Sequence, residues 1–497
     1  MQALSELTLD LLPRSLVASG AAEWGLAREA GAVRLVVLAP YGSPLVADVE
    51  GERSEHAGRT LVVGPASARN AQALRKQFAW LVARPIGLKT SIGLGDRLGL
   101  ATPGHIRALR AAGPDLAPIF AQQSIREMAR TNRTPQRVID AATFGAFEEG
   151  WQAGMGADAD HLKESGDIDR CVAAGFTLFT VDPGAFVETG TGTATPAMID
   201  AALAALPWQE LEDSVASLRA RYLGRRFDLD GTFVTFDQES LARAAVKYGG
   251  AVEHVAAMYR HLVQAAAGRP FEVEVSVDET GDPTSHAEHV YVASELRRLG
   301  VRWVSLAPRF VGQFEKGVDY IGDVRQFESH LAGHAAIARS LGPYKLSLHS
   351  GSDKFSIYPI VAAHARGLVH VKTAGTSYLE ALRTIAAIDP TLFREVYVVA
   401  REKYETDRMS YHVSARLDRA PEPGGLADAR LGMLLDEFDA REILHVTFGS
   451  VMGGETDLAG RLLAALQANP EAYASNLQAH LARHIAPFRG GLPQGRS

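Results

Sequence analysis

Residues 271–280, FEVEVSVDET, alternate strictly between two kinds of side chain. Glu272, Glu274, Ser276 and Asp278 fall on one face, and Val273, Val275 and Val277 on the other. A period of two defines a strand, because successive side chains leave opposite sides of the pleat. A helical pattern follows from Ser285 to Leu299, so the valine face belongs under helices. The acidic face must then look into a closed, polar space. The interior of a parallel barrel is such a space, and it sets Asp278 and Glu279 at the strand's carboxyl end, where barrels of this kind keep their chemistry.

The rest of the chain repeats this unit. Strand candidates lie at 79–87, 116–124, 152–160, 176–183, 271–279, 302–310, 344–351 and 367–375. Helical patterns fill most intervals, several closed by a glycine just past the last periodic residue. Eight strands alternating with helices predict an α/β fold, a (β/α)8 TIM-type barrel over 76–380. Around it the patterning predicts an N-terminal α/β extension (1–75), a helical insertion after strand four (184–265) and a helical C-terminal extension (381–497). The tail RGGLPQGRS reads as disordered. The competing fold is an open doubly wound sheet with a dinucleotide loop at GLGDRLG. Its glycines at 93, 95 and 99 miss the required spacing, and no suitable acid follows.

Composition narrows the partners. Of 497 residues, 46% are hydrophobic and 22% charged, which allows a large core. A net charge of −7 offers no electrostatic reason to expect nucleic acid or an anionic membrane. No uncharged apolar run is long enough to span a bilayer. The opening MQALSELTLDLLPRS lacks the basic region of a secretory signal, and a lone cysteine, Cys171, fits a reducing cytoplasm. The expectation is a cytoplasmic enzyme, its oligomeric state left open and a homo-oligomer allowed.

The carboxyl ends of the eight strands gather the reactive side chains. Strand one is followed by Lys89, Asp96 and Arg97; strand two ends in Gln122 and Gln123, strand three in Asp158, Asp160 and His161, and strand four in Asp182. Strand five ends in Asp278 and Glu279, strand six in Arg309, strand seven in His349, Ser350 and Asp353, and strand eight in His370, Lys372 and Thr373. If Leu346, Leu348, Val369 and Val371 pack outward, His349 and His370 point into the barrel mouth, where His161 joins them. Neutral imidazoles converging with a carboxylate suit a divalent cation, Zn, Ni, Mn or Co better than Ca. The basic residues Lys89, Arg97, Arg309, Lys316 and Lys372 point to an anionic substrate, with the neutral Gln123 a further candidate to bind it.

Other side chains read as structural. His330 and His334, four apart on a helix outside the barrel, read as a solvated face, while His289 could stand behind a metal ligand. Glu272 and Glu274 read as partners of Lys345 across the interior. Asp96 lies in a glycine-rich loop, where an acid as readily caps a turn as does chemistry.

The runs GLKTSIGLGDRLGLATPGH, GMGADADHLK, VSVDETGDPT, WVSLAPRFVGQFEKGVDYIGD, KLSLHSGSDKFSIYP and HVKTAGTSYLEALR together resemble the tagaturonate epimerases, from about Phe78 to Leu382. That resemblance implies a metal-dependent enzyme of bacterial hexuronate catabolism that interconverts tagaturonate and fructuronate. It implies His161 and His349, with His370 after them, as metal ligands, and Asp96 and Glu279 as the acid/base pair, Asp278 being a substitute for Glu279. The two uronates differ at a carbon β to the ketone, whose hydrogen is not acidic enough for enolisation to invert it. Retro-aldol cleavage and re-addition is then the favoured route over transient oxidation, given no credible nucleotide loop. Arg309 or Lys316 would take the substrate carboxylate. The alternatives are a metal-dependent aldolase, an epimerase of a neutral ketose such as fructose or tagatose, and a silent sugar-binding protein.

Overall fold

A computed structural model describes residues 4–454 and 456–490. Most of the tail expected to be disordered, 491–497, lies outside the described residues. Eight parallel strands close into a barrel: β1 (Ser91–Gly93), β2 (Ala117–Ser124), β3 (Gly156–Leu162), β4 (Leu178–Val181), β5 (Glu272–Ser276), β6 (Ser305–Ala307), β7 (Lys345–Leu348) and β8 (Val369–Lys372). Each is followed by a covering helix: α1 (Thr102–Ala112), α2 (Pro135–Glu148), α3 (Ser165–Ala174), α4 (Gln238–Ala266), α5 (His286–Arg298), α6 (Val324–Leu341), α7 (Tyr358–Ala365) and α8 (Thr376–Ile388). The barrel is the (β/α)8 fold read from the alternation.

Residues 271–280 behave as their alternating pattern requires. Val273, Val275 and Val277 are at most 2% exposed, packed outward, and each such burial contributes roughly 1.5–3 kcal/mol. Glu272, Glu274 and Ser276 line the interior, buried as well. Helix α5 begins where Ser285 and Glu288 form a reciprocal capping box, which satisfies two of the free amides at its start.

Two details depart from the sequence reading. The first barrel strand is not 79–87 but Ser91–Gly93; Ala79–Leu81 is a short 3-10 turn. Its apolar run had the composition of a strand, yet Phe78 and Trp80 stack with Phe147 of α2. The peptide N–H groups of Ile86 and Gly87 donate to Glu272, the former at 3.1 Å, so 83–87 closes the barrel floor. The expected insertion also holds a two-stranded hairpin, Arg226–Leu229 with Thr232–Thr235, and its last part, from Gln238, is the 29-residue α4 itself.

The N-terminal region is a six-stranded antiparallel sheet followed by a helix, Ala68–Gln77. Beyond α8 the chain continues through α9 (Pro390–Asp407), α10 (Phe438–Val446) and α11 (Pro470–Ile485), and α11 lies back against α1 and α8. Among the described residues no helix is long and apolar enough to cross a membrane.

Candidate active site

The barrel interior carries charge rather than the usual branched aliphatics. Its hub is Lys372 on β8, whose Nζ lies 2.8 Å from Asp158, 2.7 Å from Asp160 and 2.7 Å from Glu274. It also donates to the Thr180 hydroxyl at 2.7 Å. Burial opposes the Lys372 charge, but the three carboxylates hold its pKa well above the usual range. Three acids around one ammonium leave one short of compensation: burial raises Asp158 to about 6 despite Lys372.

Above this layer sits a cluster of imidazoles and acids. His349, following β7, places Nε2 2.6 Å from Glu274 and Nδ1 3.0 Å from Asp278. His161, at the end of β3, would face outward by strand parity if the strand ran straight. Instead the pairing of β3 with β4 slips by one residue there, and His161 takes a left-handed φ of +52°. A bulge of this kind re-aims a side chain, so Asp160 and His161 both enter the mouth. His161 Nδ1 lies 2.9 Å from Asp160, and its ring centre is 5.0 Å from that of His349. Its Nε2 is buried without a hydrogen-bond partner, 4.0 Å from Asp278 and 3.9 Å from Glu279. Burial disfavours both imidazolium forms, but Asp160 raises His161 to about 9 and Asp278 raises His349 to about 10.

His161, Asp278 and His349 bring three donor atoms within 4.8 Å of one another, and Asp182 and Glu279 form a second such set with His161. Each histidine has its other nitrogen held by a buried carboxylate, Asp160 or Glu274, the arrangement that fixes the tautomer and orientation of a metal-binding imidazole. Nitrogen and carboxylate donors with an unpaired imidazole nitrogen aimed between them fit a divalent transition-metal ion.

The other residues singled out from the sequence divide. Lys316 reaches the mouth and donates to Ser350 Oγ at 2.7 Å. Arg97 is buried in its wall, bonded to Glu127 at 2.7–2.9 Å and stacked on Phe448. His370 points inward but one layer lower, with Nδ1 2.9 Å from Ser91 Oγ; burial lowers it to about 3, and it is no member of the ligand cluster. Lys89 is exposed at the opposite end of the barrel, because the first strand begins after it, at Ser91. Asp96 turns away: its carboxylate accepts from the backbone N–H groups of Leu98, Gly99 and Ala101 at 2.7–3.1 Å. Gln123 has the wrong parity and bonds Arg133 and Thr131, whereas Gln122 faces the mouth beside Asp160. Arg309 bonds Gln313 and lies outside the mouth. Glu274 pairs with His349, Lys372 and Ser305 rather than Lys345, which donates to Ser91 at 3.0 Å. Asp353 is bound by Arg441 and His480 of the C-terminal region.

Two groups of mouth residues escaped the sequence. Arg126, two residues past β2 in the first turn of the helix Ile125–Arg130, lies 3.6 Å from Glu279. Tyr411 and His445 come from beyond α8 and roof the mouth, with the Arg126 guanidinium 5.3 Å from the Tyr411 ring. No strand-end argument reaches residues supplied by a fold-back extension. Glu127 carries a local signal, the capping box with Ser124.

Fold and site together define a (β/α)8-barrel protein whose mouth concentrates the imidazoles, acids and cations of an enzyme active site. The chain belongs to the tagaturonate epimerase family, whose profile matches residues 13–488. It is 44% identical over 427 residues to the tagaturonate/fructuronate epimerase of Thermotoga maritima, covering 85% of each chain. It also superposes on the crystal structure of the fructuronate-tagaturonate epimerase UxaE from Cohnella laeviribosi with a TM-score of 0.91, at 36% identity and 98% coverage of both chains. A glycerol complex of that enzyme matches equally well.

Proposed function

We propose that this chain interconverts D-tagaturonate and D-fructuronate in the cytoplasm, and that it does so with a divalent cation held by His161, His349 and Asp278. The observation that carries the reading is the convergence of those three donors, each imidazole braced by its own buried carboxylate, in a mouth lined by Lys316 and Arg126. The cation, when bound, supplies Lewis acidity toward the ketone oxygen.

The substrate is a β-hydroxy ketone with a carboxylate. Lys316 and Arg126 both lie near Glu279 and offer that carboxylate its cationic partners. Glu279 is the most exposed acid of the cluster, its side chain 33% accessible. Burial opposes its ionisation, but His161 and Lys316 hold its carboxyl below the usual range, so it is ready to accept a proton. It takes the proton of the β-hydroxyl; the bond between the α and β carbons breaks, its electron pair passes into the ketone fragment as an enediolate, and the β carbon becomes an aldehyde. Rotation of that aldehyde and re-formation of the bond on its other face inverts the carbon. Asp182, whose carboxylate lies within 4.8 Å of that of Glu279 beside His161, takes the proton over from Glu279 and returns it to the re-formed alkoxide. Lys372, which also lines the mouth, forms with Asp158 and Glu274 the buried floor that keeps the imidazoles in place.

Incubating metal-loaded protein with tagaturonate and following the product by NMR tests the reading. In deuterated water the inverted carbon keeps its original hydrogen; deuterium arriving there defeats the retro-aldol route, and absence of fructuronate defeats the substrate assignment.

A further inference from the structure

A second imidazole cluster lies on the outer wall of the barrel, between α5 and α6, and the chemistry above makes no use of it. His286 opens α5 and His289 follows one turn later; His330 and His334 stand one turn apart on α6. The sequence reading of His330 and His334 as a solvated face is wrong, because α6 turns this face toward α5 and leaves His334 with 0% exposure. His289 Nδ1 lies 2.7 Å from His334 Nδ1, and His334 Nε2 lies 3.3 Å from His330 Nε2. The Tyr344 hydroxyl closes the chain, 2.8 Å from His289 Nε2.

Proton accounting leaves this chain unfinished. Each neutral imidazole has one N–H and one lone pair. If His289 donates to His334, then His334 Nε2 carries its proton toward His330 Nε2, which can no longer donate to the Thr284 carbonyl 3.0 Å away. If the proton runs the other way, His334 Nε2 is a lone pair that His330 satisfies only by sharing the N–H it also gives to the Thr284 carbonyl. In either case His330 Nδ1 is buried without a partner. Burial, with the neighbouring histidines adding to it, lowers His289 to about 3 and His330 to about 4. Neutral imidazoles are the form a metal binds.

The spacing is that of a coordination shell. Nitrogens about 2.0–2.1 Å from a tetrahedral zinc stand about 3.3–3.4 Å apart, which matches the His330–His334 separation of 3.3 Å. His286 brings a third donor, and the three ligating nitrogens lie within 4.8 Å of one another. We propose that His286, His330 and His334 form a second divalent-cation site, structural in role, that takes Zn²⁺ or a similar borderline ion and rejects Mg²⁺ and Ca²⁺. Binding exchanges the His286 Nε2–H donated to the His330 carbonyl at 2.9 Å for a nitrogen–metal bond. The ion staples the start of α5 to α6. It thereby steadies the loop before α5, which carries Asp278 and Glu279 and is itself tied to the loop after β6 through Thr284 and Arg309.

Zinc per chain, counted by elemental analysis after dialysis against dilute ZnCl₂, falls by one equivalent in His286→Asn and in His330→Asn relative to the unmodified protein. His349→Ala keeps that equivalent, so failure of the mouth site and failure of this one are separable. In the His349→Ala protein, zinc raises the thermal midpoint by about 2 °C or more, and adding His286→Asn abolishes the rise. Unchanged stoichiometry in both histidine variants, or a midpoint in His349→Ala that ignores zinc, overturns the proposal.

Discussion

Nε2 of His349 stands 2.6 Å from Oε1 of Glu274, and both side chains are buried in the barrel. That contact commits one imidazole nitrogen to the protein and turns the other toward Asp278 at 3.0 Å. Replacing Glu274 by Gln keeps the shape and removes the charge that orients the ring. Loss of such a supporting carboxylate costs about 10–100-fold in metal affinity. The expected outcome is a weaker dissociation constant by equilibrium dialysis, with activity partly restored by excess metal. Unaltered affinity would show that the contact is only packing.

Lys372→Met tests the layer beneath. It leaves Asp158, Asp160 and Glu274 buried without the ammonium now 2.7–2.8 Å from each. Breaking a buried charge network by removing one partner costs about 3–5 kcal/mol. Denaturant titration should find a loss of that order at neutral pH, and Lys372→Arg should not rescue it, because a planar fork cannot replace a point charge at the centre of three acids.

Much of this site was legible in the sequence, and the reasons for the remainder are physical. Strand parity placed His349, Lys372 and Glu274 inside because β5, β7 and β8 are regular. His161 was expected in the mouth from its place at the strand's end; parity alone would turn it outward, and it points inward through a bulge and a positive φ, a feature no alternation encodes. Gln123 was preferred over its neighbour Gln122 at a strand end where one residue of register reverses the face. Lys89 was misplaced because an aromatic run that packs on α2 imitates a strand. Tyr411 and His445 were invisible because contacts between distant segments leave no local period.

Asp96 separates a turn cap from a catalytic acid. With three backbone N–H groups on its carboxylate, Asp96→Asn leaves one oxygen to accept and puts an amide where an acceptor is needed. Stability should fall by about 1–3 kcal/mol, while the turnover of the folded enzyme changes little. A loss of several orders of magnitude in kcat, with the fold intact, would restore Asp96 to the chemistry.

Lys316 addresses substrate choice. Lys316→Ala removes the mouth ammonium beside Ser350 without touching the imidazole cluster. For the uronate, KM should rise about tenfold or more, the scale of one charge-assisted hydrogen bond, with a smaller change in kcat. A neutral ketose, tested in parallel, should show no such rise. Equal effects on both would assign Lys316 to the reacting end of the substrate.

The roof over the mouth has its own pH signature. Glu442 on α10 is fully buried; its Oε2 accepts from the Ala415 amide at 3.1 Å. Burial, with Glu315 beside it, pushes its carboxyl from 4.5 up to about 9. A raised carboxyl pKa means the folded protein keeps a proton that the unfolded chain has lost. Stability contributed by that proton is therefore complete below about pH 4.5 and declines as pH rises toward about 9, by up to about 1.4 kcal/mol per unit. Glu442→Gln holds the neutral form at every pH. The variant should match the parent protein near pH 5 and exceed it in thermal midpoint near pH 8.5. Parallel pH profiles for the two proteins would mean that Glu442 is ionised in the fold and balanced by a cation.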